Sequence, residues 1–315
     1  MERRVRLLHG RMGAAPSGDP LLGLLNQVTT ADGVLARVAS TAPAAETGKD
    51  TSRISRSEGL WNGGWMRRRK VLLVGGGRIG VPIGLELAPY GIGQILVDHD
   101  VVEAANVLGA VTPYGPEDIG LPKVIGLKAK VLARDPAANV VIHPRNIHDF
   151  TDAELVRLAE QVDVAVIAID DGPALLRLNR IFHPRVLTYY PAAHEEGRTG
   201  QIIITRPPEM VGSRGTPCLA CCLGTRSGSD IETLHGEPGL GVDFATISHV
   251  CARLVVRELA AKWGSPLGPA LGPDVSVLFI SNGPSEFTPQ GPGIVLFRVE
   301  RDPDCEVCGN GQGGR

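Results

Sequence analysis

The sequence predicts a doubly wound α/β sheet, parallel in its first half and antiparallel toward its end. Three observations carry this. A short apolar strand, "KVLLV", runs into a glycine loop with G-x-G-x-x-G spacing at Gly75, Gly77 and Gly80. Apolar, β-branched runs then alternate with stretches of helical periodicity, the rhythm of βαβ units. Two late runs, "VSVLFISN" and "GIVLFRVE", alternate apolar and polar residues instead, as antiparallel strands with one solvated face do.

The composition fits this class. The 315 residues carry 43 % hydrophobic but only 4 % aromatic residues, with 40 glycines and 24 prolines. That is enough apolar material for one large domain or two smaller ones. A net charge of −2 argues against a nucleic-acid binder that works by bulk charge. The longest apolar run is broken by Arg78, Glu86 and several glycines, so no membrane span is expected. The N-terminus is basic without an apolar core segment. A secretory signal is therefore not expected, and a cytoplasmic chain with reduced thiols is.

Residues 1–66 read as a weakly ordered basic extension, and residues 67–315 as the folded body. Up to residue 70 there are 12 basic and 6 acidic residues, a net of +6, which leaves −8 for the rest. The extension is rich in Ala, Ser, Thr, Gly and Pro, a composition that favours disorder. Within it "PLLGLLNQVTTADGVLARVA" reads as one amphipathic helix or two short ones. The extension is either a flexible arm or a segment that folds over a partner.

Order begins at Lys70–Val74, a buried parallel strand by pattern. The helix "VPIGLELAPYG" follows, stopped by Gly91, and "QILVDHD" is the second strand. "NVVIHPRNI" is a strand and "DAELVRLAEQV" a helix capped by Thr151 or Asp152. "VDVAVIAID" is a fully apolar strand ending at Asp170. "PALLRLNRIF" is a helix, "VLTYYPAA" and "GRTGQIIITRP" are strands, and "DFATISHVCARLVVRELAAKW" is a long helix.

The glycine loop points to a nucleotide. Gly75 permits the tight turn, Gly77 admits a phosphate close to the backbone, and Gly80 lets the helix pack on the sheet. A phosphate would rest on the N-terminus of the helix that begins near Ile79. Asp98 or Asp100, at the end of the next strand, is placed to accept ribose hydroxyls. A glycine-rich turn without a ligand is the plainer alternative. The loop alone does not separate an ATP user from an NAD-dependent enzyme.

The cysteines point to a metal. Cys218 and Cys221 form one Cys-x-x-Cys pair, and Cys305 and Cys308 form another more than eighty residues on. Four thiolates make a closed tetrahedral zinc site with no open position, so its role is structural. It would tie the C-terminal tail back onto the sheet. Two redox dithiols are the alternative, and the thioredoxin-like context they need is absent. Of the remaining cysteines, Cys251 lies on an apolar helical face and reads as core. Cys222 adjoins a ligand and could substitute for one.

The stretch "ILVDHDVVEAANVLGAVTPYGPEDIGLPKV" resembles the ThiF/MoeB family of ubiquitin-activating-type adenylyltransferases. Asp98, Asp100, Val101, Glu103 and Asn106 match its D-x-D segment and the residues just after it, and "IGLPK" matches a later motif at Lys123. Asp170 and Asn179 fall at the family's Asp and later Asn, and "GRTGQIII" resembles its G-x-[RK]-G-Q strand. The two cysteine pairs are similar in placement and order to the family's zinc ligands. Gly109 stands where the family carries an arginine. Arg53 and Arg56 lie roughly where the family places another, without its surrounding motif.

The resemblance implies an ATP-dependent adenylyltransferase. It would activate the C-terminal carboxylate of a small ubiquitin-like or sulfur-carrier protein, or of a peptide, as an acyl-adenylate. It implies Lys123 on the phosphates, Asn106 in the nucleotide site, and Asp170 holding Mg²⁺, with Asp171 sharing the ion or capping the next helix; a helix N-cap is the plainer role for Asp170. Arg78 or Arg177 would compensate for Gly109. No thioester on the enzyme is expected, and a homodimer or heterodimer is. Two other readings stand beside it: a degenerate, non-catalytic subunit of an active partner, and an NAD(P)-dependent oxidoreductase.

Overall fold

The computed structural model describes residues 12–14, 59–107, 113–212, 215–225 and 239–309. Gly109, Arg53, Arg56 and the helix expected within the extension lie outside the described residues.

Among the described residues nine strands form one mixed sheet. They are β1 (Met12–Ala14), β2 (Lys70–Val74), β3 (Gly93–Val97), β4 (Val140–His143), β5 (Val164–Ile167), β6 (Leu187–His194), β7 (Thr199–Thr205), β8 (Val277–Ser281) and β9 (Gly293–Val299). Their spatial order is β1-β9-β8-β7-β6-β5-β2-β3-β4. Pairing is parallel from β4 through β6 and antiparallel from β6 to β1. The expected division into a parallel first half and antiparallel late strands is what the sheet shows.

The main helices are α1 (Gly80–Leu87), α2 (Lys123–Arg134), α3 (Asp152–Glu160), α4 (Gly172–Phe182), α5 (Leu219–Leu223) and α6 (Gly241–Trp263). They cover both faces of the sheet, because the pleat sends alternate side chains to opposite sides. Val71 and Leu73 of β2 join the core under α1, α2 and α6. Leu72 and Val74 join the core under α3 and α4. Strands buried on both faces are mostly apolar, as β5 and residues 71–74 of β2 are, while the one buried polar side chain of β3, Gln94, donates to the Gly84 carbonyl at 2.8 Å.

Local signals set several boundaries. Thr151 caps α3 and forms a capping box with Glu154. Asp171, rather than Asp170, caps α4 by accepting from the Ala174 N–H at 2.9 Å. Gly91 ends the turn after α1 at φ 72°. Helix α2 has no expected counterpart. Its apolar positions Val124, Leu127 and Val131 are buried at helical spacing, but Pro122 at its N-cap offers no side-chain bond. A helix without a polar cap gives no start signal in the sequence.

The extension is not wholly outside the fold. Met12–Ala14 pairs antiparallel with β9 as the outermost strand. Trp61, Trp65 and Met66, on the extension side of the expected boundary, pack on the core. Trp61 stands edge-on to Tyr90 with ring centroids 5.1 Å apart. Arg69 lies over Trp65 at 4.2 Å.

Candidate functional site

Chain order reverses at β2, with β3 on one side and β5 on the other. In such sheets the loops beyond the strand ends part there and leave a ligand crevice. The glycine loop leaves β2 at that point. Gly75 has φ +102°, and a Cβ on it would collide with the Ala168 carbonyl just past β5. Gly80 is equally confined, because a Cβ there would meet the Gly75 carbonyl. Gly77 is different: a Cβ on it would have nothing within 4 Å. Two glycines therefore serve packing, and the middle one faces open space.

Gly76 ties the loop to two other elements. A Cβ on it would stand 3.2 Å from Asp98 Oδ2 and 3.3 Å from Lys123 Cβ. Its N–H donates to Asp98 Oδ2 at 2.5 Å, and the other oxygen of Asp98 accepts from the Asp100 N–H at 2.7 Å. Lys123 is the first residue of α2, and its N–H donates to the Asp100 carbonyl at 2.8 Å. Its ammonium, with the side chain only 12 % exposed, pairs with Asp100 Oδ2 at 2.8 Å. The expected residues Gly75, Gly77, Gly80, Asp98, Asp100 and Lys123 thus meet at one end of the sheet.

Tyr114 underlies this arrangement and carries no sequence signal. It is buried, its hydroxyl donates to the Lys123 carbonyl at 3.1 Å, and Gly76 O lies 3.4 Å away. Its ring fits because position 126 is glycine, where a Cβ would come within 2.9 Å. Burial pushes the hydroxyl well above the usual tyrosine range, with Asp98 and Asp118 adding to the shift. It stays a donor and holds loop and helix in register.

Asp170 follows β5 at the same end and is exposed. Its neighbour Asp171 is occupied, capping α4 and meeting His148 Nε2 at 2.7 Å. Burial raises Asp171, but the Ala174 N–H and the His148 ring outweigh it and lower the carboxyl overall. Asn106 Oδ1 accepts from the Glu103 N–H at 2.9 Å. Asn179 is fully buried, and its side-chain oxygen accepts from the Leu219 N–H at 3.0 Å. That bond joins α4 to the cysteine-bearing helix α5.

The two candidate cations differ. Arg177 binds Asp152 at 2.6 Å and the Phe150 carbonyl at 2.5 Å. Arg78 lies inside the glycine loop, its guanidinium 5.1 Å above the Phe244 ring and 3.4 Å from the Gly239 carbonyl. The next residue is also held by α6, since Ser248 Oγ donates to Ile79 O at 3.0 Å.

The four expected cysteines converge. Their sulfurs all lie within 4.8 Å of one another. Cys218 and Cys305 are 3.5 Å apart, Cys221 and Cys308 3.4 Å, and Cys218 and Cys221 4.0 Å. A tetrahedral zinc with bonds of about 2.3 Å separates its sulfurs by roughly 3.8 Å. The cluster is therefore compatible with zinc. The Asp302 N–H donates to Cys221 Sγ at 3.4 Å, the outer support that thiolate ligands receive. Cys222 and Cys251 stand apart in the two apolar cores. Burial pushes both thiols up, so neither is an activated nucleophile.

Residues 65–265 match the ThiF family, and the chain belongs to it. The "Sulfur carrier protein adenylyltransferase" of Thermus thermophilus is 26 % identical over 249 residues, 78 % of this chain and 84 % of that protein. The mouse "Adenylyltransferase and sulfurtransferase MOCS3" is 27 % identical over 245 residues, 76 % of this chain. The chain spans only 47 % of that second protein's length. Among solved structures, E. coli MccB with ATP superposes with a TM-score of 0.64 at 20 % identity, covering 85 % of this chain and 76 % of that one. At that identity the likeness is one of fold. No helix among the described residues is long and apolar enough to cross a membrane.

Proposed function

We propose that this chain is an ATP-dependent adenylyltransferase whose second substrate is the C-terminal carboxylate of a small carrier protein or peptide. The observation that carries the reading is Gly76, flanked by Asp98 and Lys123 beside the open face of Gly77. Loop, acid and cation are packed into one site at the crevice of a ThiF-family sheet. The relatives named for sulfur-carrier adenylylation support the same assignment.

In this reading a carboxylate oxygen of the substrate attacks the α-phosphorus of ATP. The bond from that phosphorus to the bridging oxygen breaks, and pyrophosphate leaves. The barrier is largely electrostatic, so fixed charges and positioning are what the protein supplies. The 75–80 loop would seat phosphates at the N-terminus of α1. Asp98 would orient the ribose, and Lys123 would share its charge between Asp100 and the phosphates. Asp170, left free of capping by Asp171, would hold Mg²⁺, which neutralises phosphate charge when bound. Cys218, Cys221, Cys305 and Cys308 would hold a structural Zn²⁺. The chain would work in the cytoplasm as a homodimer or heterodimer.

The test is ATP–pyrophosphate exchange with a carrier ending in Gly-Gly. Asp170→Ala and Lys123→Met should each lower turnover by about 10²-fold, with less effect on ATP affinity. Gly109, standing where the family carries arginine, favours the rival of a non-catalytic subunit. Absence of exchange with every carrier from the same genome would transfer the assignment to that rival. Tighter binding of NAD than of ATP–Mg²⁺ would transfer it to an oxidoreductase.

A further inference from the structure

We infer that Arg78, from within the glycine loop, contacts the phosphates of the nucleotide. The inference rests on the nucleotide site proposed above and adds a catalytic residue to it. Arg78 follows Gly77, whose missing side chain leaves open space, and precedes the N-terminus of α1. A phosphate approaching Gly77 and the helix terminus arrives beside this side chain.

Several arginines elsewhere in the chain are held by carboxylates, and others, such as Arg134, Arg185 and Arg206, by backbone carbonyls at 3.2, 2.7 and 2.8 Å. Arg67 is held by Asp135 at 2.9 Å, Arg69 by Asp163 at 2.9 Å, Arg145 by Glu154 at 3.0 Å and Arg177 by Asp152 at 2.6 Å. Among the described residues no carboxylate pairs with Arg78. It rests against one aromatic face at 5.1 Å and one carbonyl at 3.4 Å. The second distance is long for a hydrogen bond, and a cation–π contact of this kind is weak where water reaches it. A half-buried guanidinium with no anion can exchange such contacts for a phosphate at little cost. Its planar donors match phosphate oxygens in pairs.

The loop around it is stiff. Gly75 is locked against Ala168 O, Gly80 against Gly75 O, and Ile79 O is held by Ser248. The stem of Arg78 is therefore fixed while its tip is loosely held, the arrangement a phosphate-binding side chain needs.

The experiment is titration of the full chain with ATP–Mg²⁺ and with adenosine. Arg78→Met keeps the stem and its packing on Phe244 but removes the charge. Affinity for ATP should fall about 10- to 100-fold, the scale of one charge-assisted bond, while adenosine affinity stays unchanged. Arg78→Lys should recover part of the loss. If Arg78→Met does not fold, Arg78→Gln carries the same comparison. An equal loss for adenosine would make Arg78 a packing residue and overturn the inference. Unchanged ATP affinity would overturn it and leave the adenylyltransferase reading intact. A parent chain that does not prefer ATP to adenosine overturns it as well. Pyrophosphate exchange by that same parent decides the adenylation reading separately.

Discussion

Gly75 and Gly77 stand two residues apart and make opposite demands. Gly75 combines φ +102° with a collision at Ala168 O, whereas Gly77 has open space around the position of a Cβ. Gly75→Ala should destabilise the fold by roughly 2–3 kcal/mol. Gly77→Val should melt within a few degrees of the parent yet lose ATP binding, because the side chain occupies the phosphate's approach. Thermal melting and calorimetric titration of the two variants separate these effects. ATP binding by Gly77→Val at parental strength would remove the loop from the site. His183 sets a pH dependence. It is buried, with Nε2 2.8 Å from the Thr216 carbonyl, and burial lowers its pKa below the ordinary 6.5. The unfolded chain therefore takes up a proton that the folded chain resists. The histidine's contribution is fully present above about pH 6.5. It is lost as the pH falls through that value toward the lower folded one. His183→Gln, which can still donate to Thr216, should flatten this part of the profile. Melting temperatures from pH 7.5 to 5 for parent and variant isolate the effect, and parallel profiles would contradict it.

At the scale of elements, α5 and the C-terminal turn have little of their own to hold them. Helix α5 is five residues long, and residues 301–309 contain no regular element. Arg301 reaches the Gly215 carbonyl at 2.7 Å and the Asp302 N–H reaches Cys221 Sγ, and beside these ties the two segments meet through four sulfurs. Hydrogen bonds from Cys218 and then Cys308 hold the Cys221 thiol down, while Cys221 and then Cys305 push Cys218 up. Thiols this crowded cannot all ionise together, and a divalent cation resolves the conflict. Freshly purified, reduced protein should contain one zinc per chain by elemental analysis. Cys305→Ser should lower the melting temperature by several degrees. A metal-free protein with parental stability would refute the site. These cysteines were legible in the sequence because their spacing states their chemistry. The glycine loop and the acids after β3 were legible for the same reason. Helix α2 was not, since Pro122 gives no polar cap. Tyr114 was not, because its role comes from a contact with Gly76 and Lys123 that no local pattern encodes. The choice between Asp170 and Asp171 as the cap of α4 needed the backbone itself.

Across the whole molecule, the candidate nucleotide site and the cysteine cluster belong to different parts of one sheet. The crevice lies between β2 and β5 in the parallel part, while α5 packs against β7 in the antiparallel part. Helix α4 connects them. Its first turn follows Asp170 and is capped by Asp171, and Asn179 in its last turns holds the Leu219 N–H of α5. Loss of zinc should therefore act unevenly. Residues 215–225 and 301–309 should lose order outright, α4 should loosen at the Asn179 end, and β2 and β3 should remain packed. ATP affinity should then change by less than about tenfold, because the loop, Asp98 and Lys123 are held by contacts that the cysteines do not share. Hydrogen exchange read by mass spectrometry, with and without a chelator under reducing conditions, measures this directly. Protection should disappear from the two cysteine segments first and persist in residues 70–97. Uniform loss across the sheet would mean that the zinc holds the whole domain together as one cooperative unit.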